Sequence, residues 1–339
     1  MKLCICGGGT GGHLMIAEAL LEVAVARGHE VIFIGSTSGQ DQKYFKNSSK
    51  FSDVYFLDTS GVVNKRGFGK IKALWAIIKA FFTARKLLRK HKIEAVYSVG
   101  GFSAAPAAFA SITCGLPLFI HEQNAIIGKL NTILKPFAKS FTSAYDKSSS
   151  IKGYPVKKIF FDSAHTREDI KTIIFLGGSQ GAKAINDLAL SVAIKLSERG
   201  IKIIHQCGEK EYERVQDTYG MLGIDVELYG FTKELHTLIS RADLAVSRAG
   251  ASTLWELTSN GLVAFFIPYP YAAADHQYHN AHYIVANNLG WCHREGEDLE
   301  ALLTSLLDEN LKEKSQKLLT LNSKNVAELM IKEVEKVVM

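Results

Sequence analysis

The chain has 339 residues, 47% hydrophobic and 22% charged, with a net charge of +6. That length suits two cores rather than one, and the balance is that of a globular protein; no run reaches the ~20 apolar residues of a bilayer span, so no membrane-spanning helix is expected. The five cysteines (Cys4, Cys6, Cys114, Cys207 and Cys292) form no Cys-x-x-Cys pair, which argues against a zinc site or a disulfide framework.

Met1 to Cys6 is too short for a signal-peptide core, so a cytosolic chain is expected. Leu3-Cys4-Ile5-Cys6 reads as a strand, Gly7-Gly8-Gly9-Thr10-Gly11-Gly12-His13 as a glycine-rich turn, and 14–27 as a helix. Such a turn lets backbone approach a ligand and offers helix N–H groups to an anion. Strands follow at 31–34 and 54–57. From Thr59 to Ile93 there is no acidic residue, and Lys65, Arg66, Lys70, Lys72, Lys79, Arg85, Lys86, Arg89, Lys90 and Lys92 are basic. Within the helical pattern 70–90, Ile71, Leu74, Trp75, Ile78 and Phe82 form one stripe that Ile77, Phe81 and Leu88 widen. The stripe exceeds the roughly 100° a core-facing helix needs, so segment 65–92 is expected to lie on an anionic membrane surface. No nucleic-acid reading motif accompanies the basic residues.

Further strands are expected at 94–99, 117–120 and 139–143, with a helix at 103–114; His121-Glu122-Gln123-Asn124 follows one strand as a polar loop. Lys152-Gly153-Tyr154-Pro155 marks the expected boundary. Then the opening recurs. Strand 172–176 leads into Gly177-Gly178-Ser179-Gln180-Gly181 and a helix at 182–199, with Gly7, Gly8 and Gly11 falling on Gly177, Gly178 and Gly181 at one constant offset. Strands at 202–206, 225–229, 243–246 and 263–267 and helices at 251–260 and 276–289 complete the second half. Alternating β and α elements with continuously apolar strands imply parallel sheets covered on both faces, with ligand loops at the strands' carboxyl ends. The tail from about Asn322 to Met339 is helical, and its apolar pattern alone favours packing on its own domain.

Four chemistries compete for these motifs. Gly7-x-Gly9-x-x-Gly12 fits a dinucleotide fingerprint, but strand 31–34 ends in Gly35-Ser36-Thr37 without the acidic residue a ribose needs. His13 stands where a Walker loop has lysine. Gly177-x-Ser179-x-Gly181 fits a nucleophile elbow with Asp275 and His276 as partners, yet an elbow does not explain the equivalent turn upstream. His276, His279 and His282 have helical spacing without a metalloprotease signature, so no metal is expected. The fourth reading is a sugar nucleotide. Ser247 to Leu257 forms a strand-to-helix anion site with Glu256 about one turn in, where a carboxylate accepts both ribose hydroxyls, and Gln277 offers polar recognition of a sugar.

Together, Gly8 to His13, Gly100-Gly101-Phe102, His121 to Asn124, Gly177 to Gly181, His205-Gln206-Cys207-Gly208 and the block from Ser247 to Ala281 resemble the MurG family of glycosyltransferases over the full length. The resemblance implies a GT-B fold, two Rossmann-like parallel-sheet domains facing a cleft. Residues 1–153 would be the acceptor- and membrane-facing domain, 154–322 the UDP-GlcNAc-binding domain, and 323–339 a helix packing back on the first. It implies metal-independent, cofactor-free, inverting transfer of N-acetylglucosamine from UDP-GlcNAc to the C4 hydroxyl of undecaprenyl-pyrophosphoryl-MurNAc-pentapeptide, at the cytoplasmic face of the inner membrane. The alternative within the same fold is a UDP-GlcNAc 2-epimerase. His13 closes the first glycine turn with an imidazole able to accept a proton near neutral pH, so it is the expected general base, with Glu122 one loop away as its rival. Carried over by position, Thr10, Gly11, Gly12, Asn124, Ser179, Thr232, Ala251, Ser252, Thr253, Leu254, Trp255, Glu256 and Gln277 would bind substrate. The family's Gly-Asn-Pro-Val-Arg junction reads here Gly153-Tyr154-Pro155-Val156-Lys157, so Lys157 would keep the positive charge near the donor phosphates without the guanidinium fork.

Overall fold

The computed structural model describes residues 1–59, 68–178 and 181–339, with side chains excepted at 68–72 and 74. The chain divides into two compact units, Met1–Lys157 with Lys324–Met339, and Lys158–Ser323.

The first unit is a six-stranded parallel sheet: β1 (Lys2–Cys6), β2 (Glu30–Ser36), β3 (Asp53–Leu57), β4 (Ala95–Ser98), β5 (Leu118–Glu122) and β6 (Ser140–Ser143). Its order is β3-β2-β1-β4-β5-β6, so the chain reverses direction across the sheet between β1 and β4. The helices are α1 (Gly11–Ala26), α2 (Asp41–Phe45), α3 (Phe68–Lys90), α4 (Ala105–Thr113) and α5 (Lys129–Leu134). The central strands are almost wholly buried, as runs such as Val31-Ile32-Phe33-Ile34 require when helices cover both faces.

The second unit repeats the plan with α6 (Lys158–Asp162), β7 (Thr172–Leu176), α7 (Lys183–Glu198), β8 (Lys202–Gln206), α8 (Tyr212–Leu222), β9 (Glu227–Tyr229), α9 (Leu235–Ser240), β10 (Leu244–Ser247), α10 (Ala251–Asn260), β11 (Val263–Phe266), α11 (His276–Ala286), β12 (Trp291–Cys292), α12 (Leu299–Ser305) and α13 (Lys312–Leu321). Its sheet runs β12-β11-β10-β7-β8-β9, with the reversal between β7 and β10. The final helix, α14 (Val326–Val338), belongs to the first unit. It buries Val326, Ala327, Met330, Ile331 and Val334 there and packs on α1.

The structure corrects one part of the α3 reading: Leu88, expected to widen the surface stripe, is 1% exposed and belongs to the core. The bulky stripe does not face the core: Trp75 is 68% exposed and Phe82 61%, and Ile78 is exposed with them. The buried face is Ala73, Ala80, Ala84 and Leu88, with Ile77 and Phe81 half-buried. Small residues let α3 approach the alanine-rich α4 closely, and that close contact decides which face turns inward. Ile71, Leu74, Lys65, Arg66, Lys70 and Lys72 lie outside the described side chains.

Candidate active site

In an open α/β sheet the ligand loops lie at the strand carboxyl ends where the topology reverses. In the first unit those are the loops after β1 and β4, and they interlock backbone to backbone. Gly8 N–H donates to the Gly100 carbonyl at 3.1 Å, and Gly7 N–H to Ile34. A Cβ on Gly7 would run into the Gly100 carbonyl, and one on Gly101 into that of Gly8. Both glycines have positive φ, so the crossing admits no side chain on either strand of the turn.

The first turn is not open to an anion at Gly7, Gly8 or Gly9. The third of these N–H groups is taken by Asp41 at the start of α2, whose buried carboxylate accepts from Gly9 N at 2.5 Å and from Ser36 N at 2.8 Å. Burial raises the Asp41 pKa, opposed by the hydrogen bonds from Gly9, Ser36 and Ser103. Sequence reasoning missed Asp41. It sits on a five-residue helix that no apolar period announces.

Thr10 precedes α1 but does not cap it. Its hydroxyl lies 2.9 Å from His13 Nδ1. Gly11 and Gly12 open the helix, and His13 follows with its ring against Gly100, where a Cβ would stand 3.2 Å from Cδ2 and Nε2. The Gln123 amide nitrogen reaches His13 from the loop after β5, 3.0 Å from Nε2 and 3.4 Å from Nδ1. His121, buried behind them, bonds Thr142 Oγ1 at 3.1 Å, and burial lowers its pKa to about 3, with His13 adding to the shift.

Glu122, the rival base, is buried and occupied. Its Oε1 accepts from Asn124 N at 2.9 Å, and its Oε2 from Gly128 N at 2.8 Å and Asn131 Nδ2 at 2.9 Å. A carboxylate so engaged organises the 123–128 loop and the entry to α5, and presents Asn124 at the loop's rim. Lys157 pairs with Glu18 on α1 at 3.2 Å.

In the second unit the reversal lies between β7 and β10. Gly177 N–H donates to the Gln206 carbonyl at 2.8 Å, anchoring the second glycine turn; Ser179 lies outside the described residues. Behind the turn, His205 Nε2 faces Asn186 Oδ1 and its Nδ1 faces Tyr219 Oη, each at 3.0 Å, while Asn186 Nδ2 donates to the Cys207 carbonyl. The loop after β10 gives α10 an N-terminus at Gly250 without a side-chain cap. Ala251, Ser252 and Thr253 form its first turn. The Glu256 carboxylate is 7% exposed and accepts from Ser252 Oγ at 2.8 Å. Leu254 and Trp255 are core residues, so only their backbone can meet a ligand. Arg248 braces the neighbouring loop through the Ile267 and Pro268 carbonyls and Glu295. Gln277, in the first turn of α11, accepts from Tyr269 N at 2.9 Å. Asn280 donates to the Ala249 carbonyl, tying α11 to the α10 entry. Thr232 Oγ1 accepts from Glu234 N at 2.9 Å in the loop after β9. Among the described residues no group of His, Cys, Asp or Glu is placed to hold a metal ion.

Two parallel sheets, each reversing its strand order beside a glycine-rich turn, form the architecture that in open α/β folds binds ligands at the strand carboxyl ends. The profile of the glycosyltransferase family 28 N-terminal domain matches residues 3–143, and that of the family 28 C-terminal domain matches 172–337. The chain belongs to glycosyltransferase family 28. It is 66% identical, over 98% of both chains, to a Sulfurimonas denitrificans protein named UDP-N-acetylglucosamine–N-acetylmuramyl-(pentapeptide) pyrophosphoryl-undecaprenol N-acetylglucosamine transferase. It is 47% identical to the Helicobacter hepaticus protein of the same name, over 97% of each. Among solved structures, Acinetobacter baumannii MurG matches with a TM-score of 0.79 at 27% identity over 99% of both chains. The UDP-GlcNAc 2-epimerase of Neisseria meningitidis matches at 0.66 and 12% identity over 99% of this chain and 100% of that one, a likeness of fold alone. Like its family 28 relatives, the chain is a glycosyltransferase of GT-B fold.

Proposed function

We propose that the chain transfers N-acetylglucosamine from UDP-GlcNAc to the C4 hydroxyl of an undecaprenyl-pyrophosphoryl-MurNAc-pentapeptide, with inversion at the anomeric carbon. The observation that carries this reading is the 66% identity, across 98% of both chains, to an enzyme named for that transfer. His13 takes the proton as the C4 oxygen bonds to the anomeric carbon. The bond from that carbon to the β-phosphate oxygen breaks, and its electron pair leaves with UDP. Glu256 accepts the ribose hydroxyls, Gln277 contacts the sugar, and the loop at Thr232 meets the uracil. The α10 N-terminus and the second glycine turn take the growing charge on the diphosphate, as unpaired helix N–H groups do for anions. Thr10, Gly11, Gly12 and Asn124 line the approach to His13, and Lys157 supplies a cation of this chain's own.

The lipid acceptor places the enzyme at the cytoplasmic face of the inner membrane as a peripheral protein. Exposed Trp75, Ile78 and Phe82 on α3, flanked by exposed Lys79, Lys86, Arg89 and Lys90, form an apolar face with a basic border suited to anionic lipid. Beside it an apolar groove of about 380 Å³ runs among Ile77, Ile78, Phe81, Phe109, Ile112 and Phe137.

The test is transfer of radiolabelled N-acetylglucosamine from UDP-GlcNAc to a short-chain lipid acceptor by the purified chain. The expected product is the disaccharide lipid in β linkage. Conversion of UDP-GlcNAc to its C2 epimer without label in the lipid would replace the transferase by an epimerase.

A further inference from the structure

Among the described residues, Thr10 and Gln123 both meet the His13 ring, and the family resemblance does not explain them as a pair. An atom 3.0 Å from Nε2 and 3.4 Å from Nδ1 cannot lie along the in-plane lone pair of either nitrogen. It lies over the face of the ring. The Gln123 amide nitrogen therefore sits against the ring face, the side from which an N–H meets an aromatic π-cloud in a weak but directional contact. Thr10 Oγ1 meets the ring at Nδ1, 2.9 Å away, and Gly100 lines the edge that carries Cδ2 and Nε2.

Gln123 is 7% exposed, and among the described residues its buried Oε1 has no hydrogen-bond partner. An unmet buried carbonyl opposes folding, and an apolar side chain of the same length would avoid it. The fold keeps the amide at a position where methionine would pack at lower cost. A neutral imidazole carries one N–H; with Nδ1–H donated to Thr10 Oγ1, Nε2 is the basic nitrogen. This is the logic of a base oriented by a third group, with a threonine hydroxyl in place of a carboxylate.

We propose that Thr10 and Gln123 are positioning residues for His13: Thr10 anchors the ring at Nδ1, leaving Nε2 to act as the basic nitrogen, and Gln123 fixes the plane of the ring. The inference rests on His13 being the base of the transfer reaction. The ionisable groups on the elements around the ring are His121 and Glu122 on β5, Asp41 behind the glycine turn, and the Glu18–Lys157 pair further along α1.

The experiment uses the full chain and a water-soluble acceptor. Gln123→Met is expected to melt at the wild-type temperature or above it, yet to lose roughly ten- to a hundredfold in kcat with donor KM unchanged, the scale of a misaligned catalytic group. Gln123→Glu puts a carboxylate on the ring face and is expected to move the acid limb of kcat/KM for acceptor up by about one pH unit, because a nearby opposite charge favours the imidazolium. Thr10→Val should lose a similar factor in kcat, and Thr10→Ser should restore it. If Gln123→Met loses activity only in proportion to lost folded protein, and Gln123→Glu leaves the acid limb in place, the positioning role is overturned. His13→Ala separates this from the underlying reading. A His13→Ala chain that keeps more than a tenth of wild-type kcat removes His13 as base and the proposal with it. A His13→Ala chain losing 10²–10⁴, beside an unmoved acid limb in Gln123→Glu, overturns only the positioning of the base.

Discussion

Arg27, at the end of α1, grips Glu335 of α14 with both arms of its guanidinium, Nε to Oε1 at 2.8 Å and Nη2 to Oε2 at 2.7 Å. His29 adds a third contact to the same carboxylate at 2.6 Å. The Arg27 hydrogen bond is the first cause that holds the Glu335 pKa down, to about 2, from 4.5. A carboxylate whose pKa is depressed on folding stabilises above its unfolded pKa and loses that contribution as pH falls through the folded value. The docking of α14 should therefore weaken between pH 4.5 and 2. The protection factors of the α14 amides against hydrogen exchange should fall over that window in the wild type, and Glu335→Gln should show reduced protection already at pH 7.

Glu256 is buried beside the α10 N-terminus, with Ser252 on one oxygen. Removing the carboxylate takes an ionised acceptor from the ribose, and hydrogen bonds to charged groups are worth about 1.5–3 kcal/mol. Glu256→Ala should raise donor KM roughly tenfold or more with kcat less affected. The melting temperature should stay close to wild type. Steady-state kinetics with UDP-GlcNAc varied checks it, and an unchanged donor KM would take Glu256 out of the donor site.

The two faces of α3 should separate cleanly by mutation. Trp75, Ile78 and Phe82 lie outside the core, so replacing all three with Ser should weaken binding to anionic vesicles and leave the melting temperature in place. Leu88 is 1% exposed and packs with Ala84, Ile93 and Ala108 in the first unit's core. Leu88→Ala should cost about 2–5 kcal/mol of stability. Co-sedimentation and thermal melts distinguish the two, and loss of stability in the triple mutant would return that stripe to the core.

The sheet architecture was legible because parallel strands buried on both faces are near-continuously apolar, and runs such as 31–34 and 173–176 recur between helical patterns. Short elements were not. β12 has two residues, and α2, α6 and α9 are too brief to show a period. Which face of α3 turns inward was not legible, because an apolar pattern does not show that Ala73, Ala80 and Ala84 form the buried face toward α4. Glu256 and Gln277 were visible as polar residues placed after strands. Asp41 and the Gln123 ring contact were not, because nothing local marks a side chain that acts across the fold on a turn distant in sequence.

Each unit also carries a buried neutral histidine. His205 accepts at Nδ1 from the Tyr219 hydroxyl and donates from Nε2 to Asn186 Oδ1, an assignment fixed by Asn186 giving its amide hydrogens to the Cys207 carbonyl. Protonation would oblige Tyr219 to stop donating, inside a site closed to water. Burial, followed by the charge of Arg214, lowers the His205 pKa from 6.5 to about 3; in the first unit burial, then His13, does the same to His121. For a base with a depressed folded pKa, the unfolded chain binds the proton first. Stability is then fully present above pH 6.5 and falls as pH drops toward 3, by about 1.4 kcal/mol per pH unit for each histidine. Urea midpoints measured from pH 7.5 to 4 should decline with that slope. His205→Gln, which keeps a donor and an acceptor but does not titrate, should lower the midpoint at pH 7.5 yet flatten the decline by one proton's worth. A decline as steep in His205→Gln as in the wild type would assign the acid sensitivity to other groups.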